Sequence, residues 1–277
     1  MLRLFGCLIA VALEIGAQDP RGQISAQEAA RLEAAIKIDP ANREARGALL
    51  DYYFLNRRVD AATAFAARRR HILWLIENSP QDELAGGPPA TIDASGHGLA
   101  DPRGFELASD AWWAQAMKPD ARVATLVNAA YFFKLADKEA SIELLEKAIA
   151  LEPSSKETAE RLGDGYALAI LGITMINKNG LPMAADPQAY DGDVARRARE
   201  ALNRSINPLV LAKAGYQIAY QGGVLSALHK ILFDPMPLAE ATLARAVSLA
   251  PKDSDVAAYQ EEVRQFKKLK MAANRRK

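Results

Sequence analysis

A six-residue pattern, A-[IV]-x-[IL]-x-P, occurs three times in the chain and constrains its fold more than any other feature. The copies span residues 35–40, 148–153 and 246–251. Each copy closes a stretch in which apolar residues recur every three or four positions, which is the period of an amphipathic α-helix. Because proline cannot continue a helix, each copy predicts the end of one helix and a tight turn into the next.

The middle copy shows the arrangement most clearly. Before it, Ile142 and Leu145 share one helix face, and after it Ser154 and Glu157 have the spacing of a capping box that begins a new helix. Looser versions end at Pro80, Pro119 and Pro208, so from Pro40 to Pro251 the punctuating prolines are separated by 34 to 55 residues. Since no stretch alternates apolar and polar residues as a strand does, we predict an all-α chain without strands.

The chain resembles the tetratricopeptide repeat (TPR) family, whose helix-turn-helix unit repeats every 34 residues. Leu162-Gly163 and Tyr166 match the first-helix pattern, with Ala159 in place of its tryptophan. The second-helix pattern is matched with conservative changes by Ser141, Leu145, Ala148 and Pro153. The resemblance is strong around 122–170 and weaker elsewhere, and a loop at 172–187 interrupts it. It implies an α-solenoid, a right-handed superhelix of TPR-like helical hairpins whose concave face is lined by first helices.

The N-terminus has the features of a secretory signal. Residues 1–17 combine Arg3, an apolar run of about ten residues and the small pair Gly16-Ala17. We predict a signal peptide at 1–17, a helical repeat domain at 25–273 with a loop insertion at 81–104, and a basic tail at 274–277. The expected location is the periplasm or the outside of a bacterial cell, and an uncleaved N-terminal membrane anchor is the alternative. After cleavage no integral membrane span is expected.

Charge and residue usage exclude several classes of function. The 35 Lys and Arg residues and 34 Asp and Glu residues give a formal net charge of +1, so no global field attracts nucleic acid, and no nucleic-acid partner is expected. Cys7, the only cysteine, lies in the leader, and the three histidines lack metal-ligand spacing. The GDGY and QGGV stretches lie within helical patterns and are interpreted as packing sites, not phosphate loops. We therefore predict no catalytic residue, no cofactor and no metal.

The TPR resemblance implies which side chains face a partner. The ligand-facing first-helix positions of that family correspond here to Glu44, Asp51, Leu126, Ala130, Phe133, Glu157, Glu160 and Asp164. They are acidic or apolar, so the expected ligand is a basic or apolar polypeptide segment, in extended or helical form. The cationic residues with which some family members bind a terminal carboxylate are not found at these positions.

The glycine- and proline-rich segment 81–104 supports an alternative. It precedes Trp112-Trp113, and because adjacent helical residues point about 100° apart, at most one indole is expected at the centre of the core. Asp93, Ser95 and His97 have the residue types of a nucleophilic triad, but three groups within five loop residues cannot readily converge on one another. The leading hypothesis is a non-enzymatic interaction or assembly scaffold. The alternative is a ligand- or glycan-binding protein, possibly an enzymatic accessory, that uses this loop and the two tryptophans.

Overall fold

The structure is a computed structural model that describes residues 24–94, 100–177 and 179–274. The described residues are mostly helical, with one small two-stranded sheet. The helices are α1 (Ala26–Ile38), α2 (Arg43–Asn56), α3 (Ala61–Asn78), α4 (Pro102–Ala116), α5 (Val123–Phe133), α6 (Lys138–Leu151), α7 (Lys156–Ile170), α8 (Asp193–Arg204), α9 (Pro208–Ala227), α10 (Met236–Leu249) and α11 (Ser254–Asn274).

All three copies of the proline pattern lie at corners between helices, as predicted. Helix α1 ends at Ile38, α6 at Leu151 and α10 at Leu249, and in each case another helix begins within five residues. The cap of α7 differs from the prediction. Its N-cap is Ser155, whose hydroxyl accepts a hydrogen bond from the backbone N–H of Thr158 at 3.3 Å, because Pro153 and Ser154 form the turn itself.

The chain forms two compact units, one ending at His71 and one beginning at Ile72. The predicted repeat domain at 25–273 thus includes the boundary between the two units. In the first unit α1 packs against α2 through an apolar core of Ala29, Ile36, Ala45 and Leu49. This core fills the space between the two helices that the first proline corner connects.

A partly buried polar cluster in the first unit is centred on Glu33. Its Oε1 accepts hydrogen bonds from the Tyr53 hydroxyl at 3.0 Å and Arg70 Nη2 at 2.6 Å, and lies 3.0 Å from His71 Nε2. The other ring nitrogen of His71, Nδ1, lies 3.2 Å from Arg46 Nη1. Because a guanidinium can only donate, Nδ1 accepts and Nε2 carries the proton, which is the neutral form of histidine. Burial lowers the pKa of His71 and outweighs the opposing effect of Glu33.

In the second unit each hairpin packs against the next helix along the chain. Helix α5 packs against α4 and α6, α6 against α7, and α7 against α8 and α9, and α9 packs in turn against α10 and α11. The helices that follow proline corners, α7, α9 and α11, therefore lie next to one another in sequence order. Helix α11 is the last of this series, and its Val256 and Val263 are buried.

Glycines bring the backbones of these helices close together. A Cβ atom on Gly163 of α7 would lie 2.8 Å from the carbonyl oxygen of Val210 in α9, and one on Gly215 of α9 would lie 3.0 Å from that of Ala239 in α10. In the QGGV stretch, a Cβ on Gly222 would lie 2.7 Å from the ring of Pro235. The interpretation of GDGY and QGGV as packing sites within helices is confirmed.

The prediction of a chain without strands is wrong at residues 172–187. Strands β1 (Ile173–Ile176) and β2 (Pro182–Ala185) form an antiparallel hairpin with an irregular register. Gly180 in its turn has φ +76°, a conformation that favours glycine. Asn179-Gly180 is a hairpin turn signal, and Pro182 is tolerated because it is the first residue of its strand.

The predicted signal peptide at 1–17 lies outside the described residues, as do the last three residues of the predicted basic tail. Among the helices that the structure does describe, none combines the length and the apolar character needed to cross a bilayer.

Candidate functional site

A cavity of about 230 Å³ lies between α5, α7 and α9 in the second unit. The β-hairpin contributes Ile176 and Gly180 to its wall. Each helix supplies polar residues three or four positions apart, a spacing that places both side chains on one helix face. The polar wall residues are Tyr131 and Lys134 from the end of α5, Arg161 and Asp164 from α7, and Gln217 and Gln221 from α9, together with Ser141 from α6.

Two cationic side chains share one aromatic ring in this cavity. Lys134 Nζ lies 3.8 Å from the centroid of the Tyr131 ring, and Arg161 Cζ lies 5.8 Å from the same centroid. Burial and the nearby charge of Arg161 together lower the pKa of Lys134 to about 8, against the opposing charge of Asp164. No carboxylate of the described residues forms an ion pair with Lys134. Its ammonium group is therefore partly desolvated and held mainly by a cation–π contact.

The carboxylate of Asp164, in contrast, has two partners on α9. Gln217 Nε2 donates a hydrogen bond to Asp164 Oδ1 at 2.7 Å, and Lys213 Nζ lies 3.6 Å from the same oxygen. Burial raises the pKa of Asp164, while Lys213 and Gln217 act in the opposite direction. Asp164 is thus engaged within the protein.

Gln221 has an unpartnered acceptor in the cavity wall. Its side chain is 8% exposed, and its Oε1 atom forms no hydrogen bond with the described residues. An unpaired buried acceptor of this kind costs about 1–3 kcal/mol. A donor that reached this oxygen would therefore be bound favourably.

Three of the five acidic residues that were expected to face a partner, all on α7, are engaged within the chain. Glu157 pairs with Arg161 at 2.9 Å, and Glu160 accepts a hydrogen bond from the Tyr259 hydroxyl at 2.9 Å. Asp164 is bound as described above. Glu44 and Asp51 lie exposed on α2 of the first unit. We expected acids in a groove to attract a basic segment. In the wall of this cavity, however, the one acid, Asp164, is already paired within the protein.

The apolar positions expected to face a partner lie in the core of the second unit. Leu126 is fully buried and Phe133 is 2% exposed, so in this structure neither side chain can contact a partner. Ala130 is also buried, although it lines the cavity. The face of α5 that meets the cavity carries Ala130, Tyr131 and Lys134, so of the three predicted α5 positions only Ala130 lines it.

The two tryptophans are in different environments, as their adjacency on a helix requires. Trp112 is 1% exposed and belongs to the core, while Trp113 is half-buried with its ring 5.6 Å from that of Phe133. Only Trp113 could contribute to a stacking platform. Of the three triad residue types, Asp93 is exposed, and Ser95 and His97 lie outside the described residues.

The described part of segment 81–104 packs against its surroundings. Ala85, Ala90 and Ile92 are buried, and Asn128 Nδ2 of α5 donates hydrogen bonds at 2.9 Å to the carbonyl oxygens of Pro80 and Asp82. The segment is thus fixed at its start by one side chain. Asn128 could not be predicted from the sequence, because a single polar residue in an apolar helix gives no indication of its partner.

Five polar cavity residues on α5, α7 and α9 were also not predicted from the sequence: Tyr131, Lys134, Arg161, Gln217 and Gln221. The signal that could have found them is the recurrence of polar pairs at spacings of three or four on successive first helices. Comparisons of the chain with protein-family models, with curated proteins and with solved structures gave no match.

Proposed function

We propose that the helices of the second unit form a TPR-like superhelical array and that the protein is a non-enzymatic interaction module. A polypeptide segment binds across the face formed by α5, α7 and α9. The packing of α7 against α9 and of α9 against α11 supports an array, because a solenoid of hairpins requires first helices side by side.

The observation that carries this function is the polar cavity on that face. It brings together the ammonium group of Lys134 and the buried acceptor Gln221 Oε1, neither of which has an ion-pair or hydrogen-bond partner in the described part of the chain. Both groups gain from an external partner, whereas each acid near them already has an internal one. Such an arrangement is suited to recognition.

A row of tyrosines extends the same surface. The Tyr216 ring is stacked 5.9 Å from Tyr220 on α9 and lies 5.3 Å from Tyr259 on α11. All three are half-buried. Tyrosines with one face accessible are enriched at protein interfaces, because they offer apolar area and a polar group at a small entropic cost.

The alternative function is a glycan- or ligand-binding accessory that uses segment 81–104 and Trp112-Trp113. It has less support, because the burial of Trp112 leaves only one indole for stacking. Export to the periplasm or the cell exterior is likewise a proposal, based on the composition of residues 1–17.

Site-specific photocrosslinking in the producing cells tests the interaction function. A photoreactive p-benzoylphenylalanine replaces Tyr131 or Tyr216, and a control carries it at Leu249, an exposed residue of α10 outside the cavity wall. We expect a discrete crosslinked protein from the two tyrosine positions and none from the control. Equal crosslinking from all three positions, or none from the tyrosine positions, would contradict the proposal.

A further inference from the structure

We propose that the cavity between α5, α7 and α9 binds a carboxylate group that has a hydrogen-bond donor close to it. Lys134 and Arg161 bind the carboxylate, and Gln221 Oε1 accepts from the donor. A free amino or hydroxy carboxylic acid has this chemistry, and so does an acidic side chain of a polypeptide next to its backbone N–H. If the carboxylate belongs to a polypeptide, the inference rests on the interaction function proposed above. If it belongs to a free acid, the inference is independent of that function.

The distribution of charge in the wall favours an anion. Lys213 is paired with Asp164, and Arg161 with Glu157, which leaves Lys134 as the cation without a carboxylate partner among the described residues. The Arg161–Glu157 pair is largely exposed, and exposed pairs contribute only about 0–1 kcal/mol, so Arg161 can turn to a ligand at little cost. Both cations approach the Tyr131 ring, which places them near each other.

The free acceptor of Gln221 specifies a second feature of the ligand. A simple anion would satisfy Lys134 but leave Gln221 Oε1 unpaired. An N–H or O–H group near the carboxylate would satisfy both, and discrimination against ligands that lack the donor follows because a buried acceptor left unpaired is costly.

The size of the cavity limits the ligand. At about 230 Å³ the cavity is smaller than the roughly 300–1,000 Å³ that drug-sized ligands occupy. It therefore admits a small acid or one side chain, and not a helix.

The first test uses three small molecules and the full chain. Lactate has the carboxylate and the donor, propionate lacks the donor, and lactamide lacks the carboxylate. In NMR titrations we expect lactate to bind at least tenfold more tightly than either of the others. Equal binding of the three molecules would overturn the proposal. So would the absence of lactate binding, if the peptide test below also shows no preference.

Variants locate the binding. Lys134→Met should weaken lactate binding at least tenfold, and Gln221→Met should reduce the preference for lactate over propionate to less than twofold. Lys138→Met is the matched control, because Lys138 is also partly buried but does not line the cavity, and it should bind lactate as the wild type does. Unchanged binding in Lys134→Met would exclude this cavity.

A second arm distinguishes the two sources of the carboxylate. Two peptides, both acetylated and amidated at their ends, differ only by a central Glu or Gln. Preference for the Glu peptide, lost in Lys134→Met, supports the polypeptide source, and binding of lactate without this preference supports the free acid. If the Tyr131 and Tyr216 crosslinks form while neither lactate nor the Glu peptide is preferred, this inference fails and the interaction function stands. If lactate binds but no crosslink forms, the interaction function fails and the inference of a carboxylate site stands.

Discussion

The ammonium group of Lys134 lies 3.8 Å from the centroid of the Tyr131 ring, in a wall where burial lowers its pKa to about 8. An exposed lysine has a pKa of about 10.4, so folding moves this pKa by about two units, which corresponds to about 3 kcal/mol of destabilisation at pH 7. The cation–π contact of a partly desolvated ammonium group returns about 1–2 kcal/mol of stabilisation. Because the cost of burying the charge exceeds this gain, Lys134 destabilises the folded protein at pH 7.

We therefore predict that Lys134→Met stabilises the protein by about 1–2 kcal/mol at pH 7, because it removes a desolvated charge. In the wild type the unfolded chain binds more protons than the folded one between about pH 8 and pH 10.4, so stability rises with pH in that window. The variant should lack this rise. Urea unfolding at pH 7 and pH 10 measures both effects, and a variant less stable than the wild type at pH 7 would refute the prediction.

The Glu33 cluster makes the first unit sensitive to acid. Burial lowers the pKa of His71, so below about pH 6.5 the unfolded chain takes up a proton more readily than the folded one, and stability falls. Burial alone would raise the pKa of the Glu33 carboxyl. The hydrogen bonds from His71 and Tyr53 and the charge of Arg70 outweigh burial, so the pKa of Glu33 is lowered. That stabilisation is present above about pH 4.3 and is lost as pH falls further, so both groups act in the same direction.

We predict that amide hydrogen exchange in α1 and α2, corrected for the intrinsic rate, becomes faster between pH 7 and pH 5. His71→Gln cannot be protonated and should reduce this acid sensitivity, although it lowers stability at neutral pH. His229→Gln is the control, because His229 is exposed and lies in the second unit. Identical pH profiles for His71→Gln and the wild type would show that His71 is not the titrating group.

Asn128 should control how firmly the described start of segment 81–104 is held. Asn128→Ala removes two hydrogen bonds to backbone carbonyl groups, at about 1 kcal/mol each, so we expect proteolytic cleavage of the segment to become about ten- to thirtyfold faster. Asn78→Ala, which removes one local bond to the Trp74 carbonyl within α3, should leave the rate unchanged. Timed digestion with a nonspecific protease measures the difference.

Local sequence signals were sufficient to predict the helices but not the chemistry between them. The proline corners were predictable because a missing N–H and a fixed φ act within a few residues. The β-hairpin was missed although Asn179-Gly180 was visible, because its short strands carry no clear alternation. The roles of Glu160 and Asp164 were not predictable, since their partners Tyr259 and Gln217 lie 99 and 53 residues away along the chain.

Close packing between α7 and α9 gives a prediction with an internal control. A Cβ atom on Gly163 would lie 2.8 Å from Val210 O and 2.9 Å from Ala214 N, which are backbone atoms that can move only if the helices separate. A Cβ on Gly165, two residues later, would come no closer than 3.5 Å to Ile142 Cγ1, an ordinary contact. The two glycines therefore differ in what surrounds them and not in their helical conformation.

We predict that Gly163→Ala destabilises the protein by about 1–3 kcal/mol, because overpacking outweighs the gain of about 1 kcal/mol in helix propensity. Gly165→Ala should be neutral or stabilising by up to about 1 kcal/mol, since only the propensity gain remains. Urea midpoints of the two variants and the wild type provide the measurement. Because α7 and α9 also form the cavity wall, Gly163→Ala should weaken lactate binding as well. Equal stabilities for the two alanine variants would mean that the helices are not in backbone contact at Gly163.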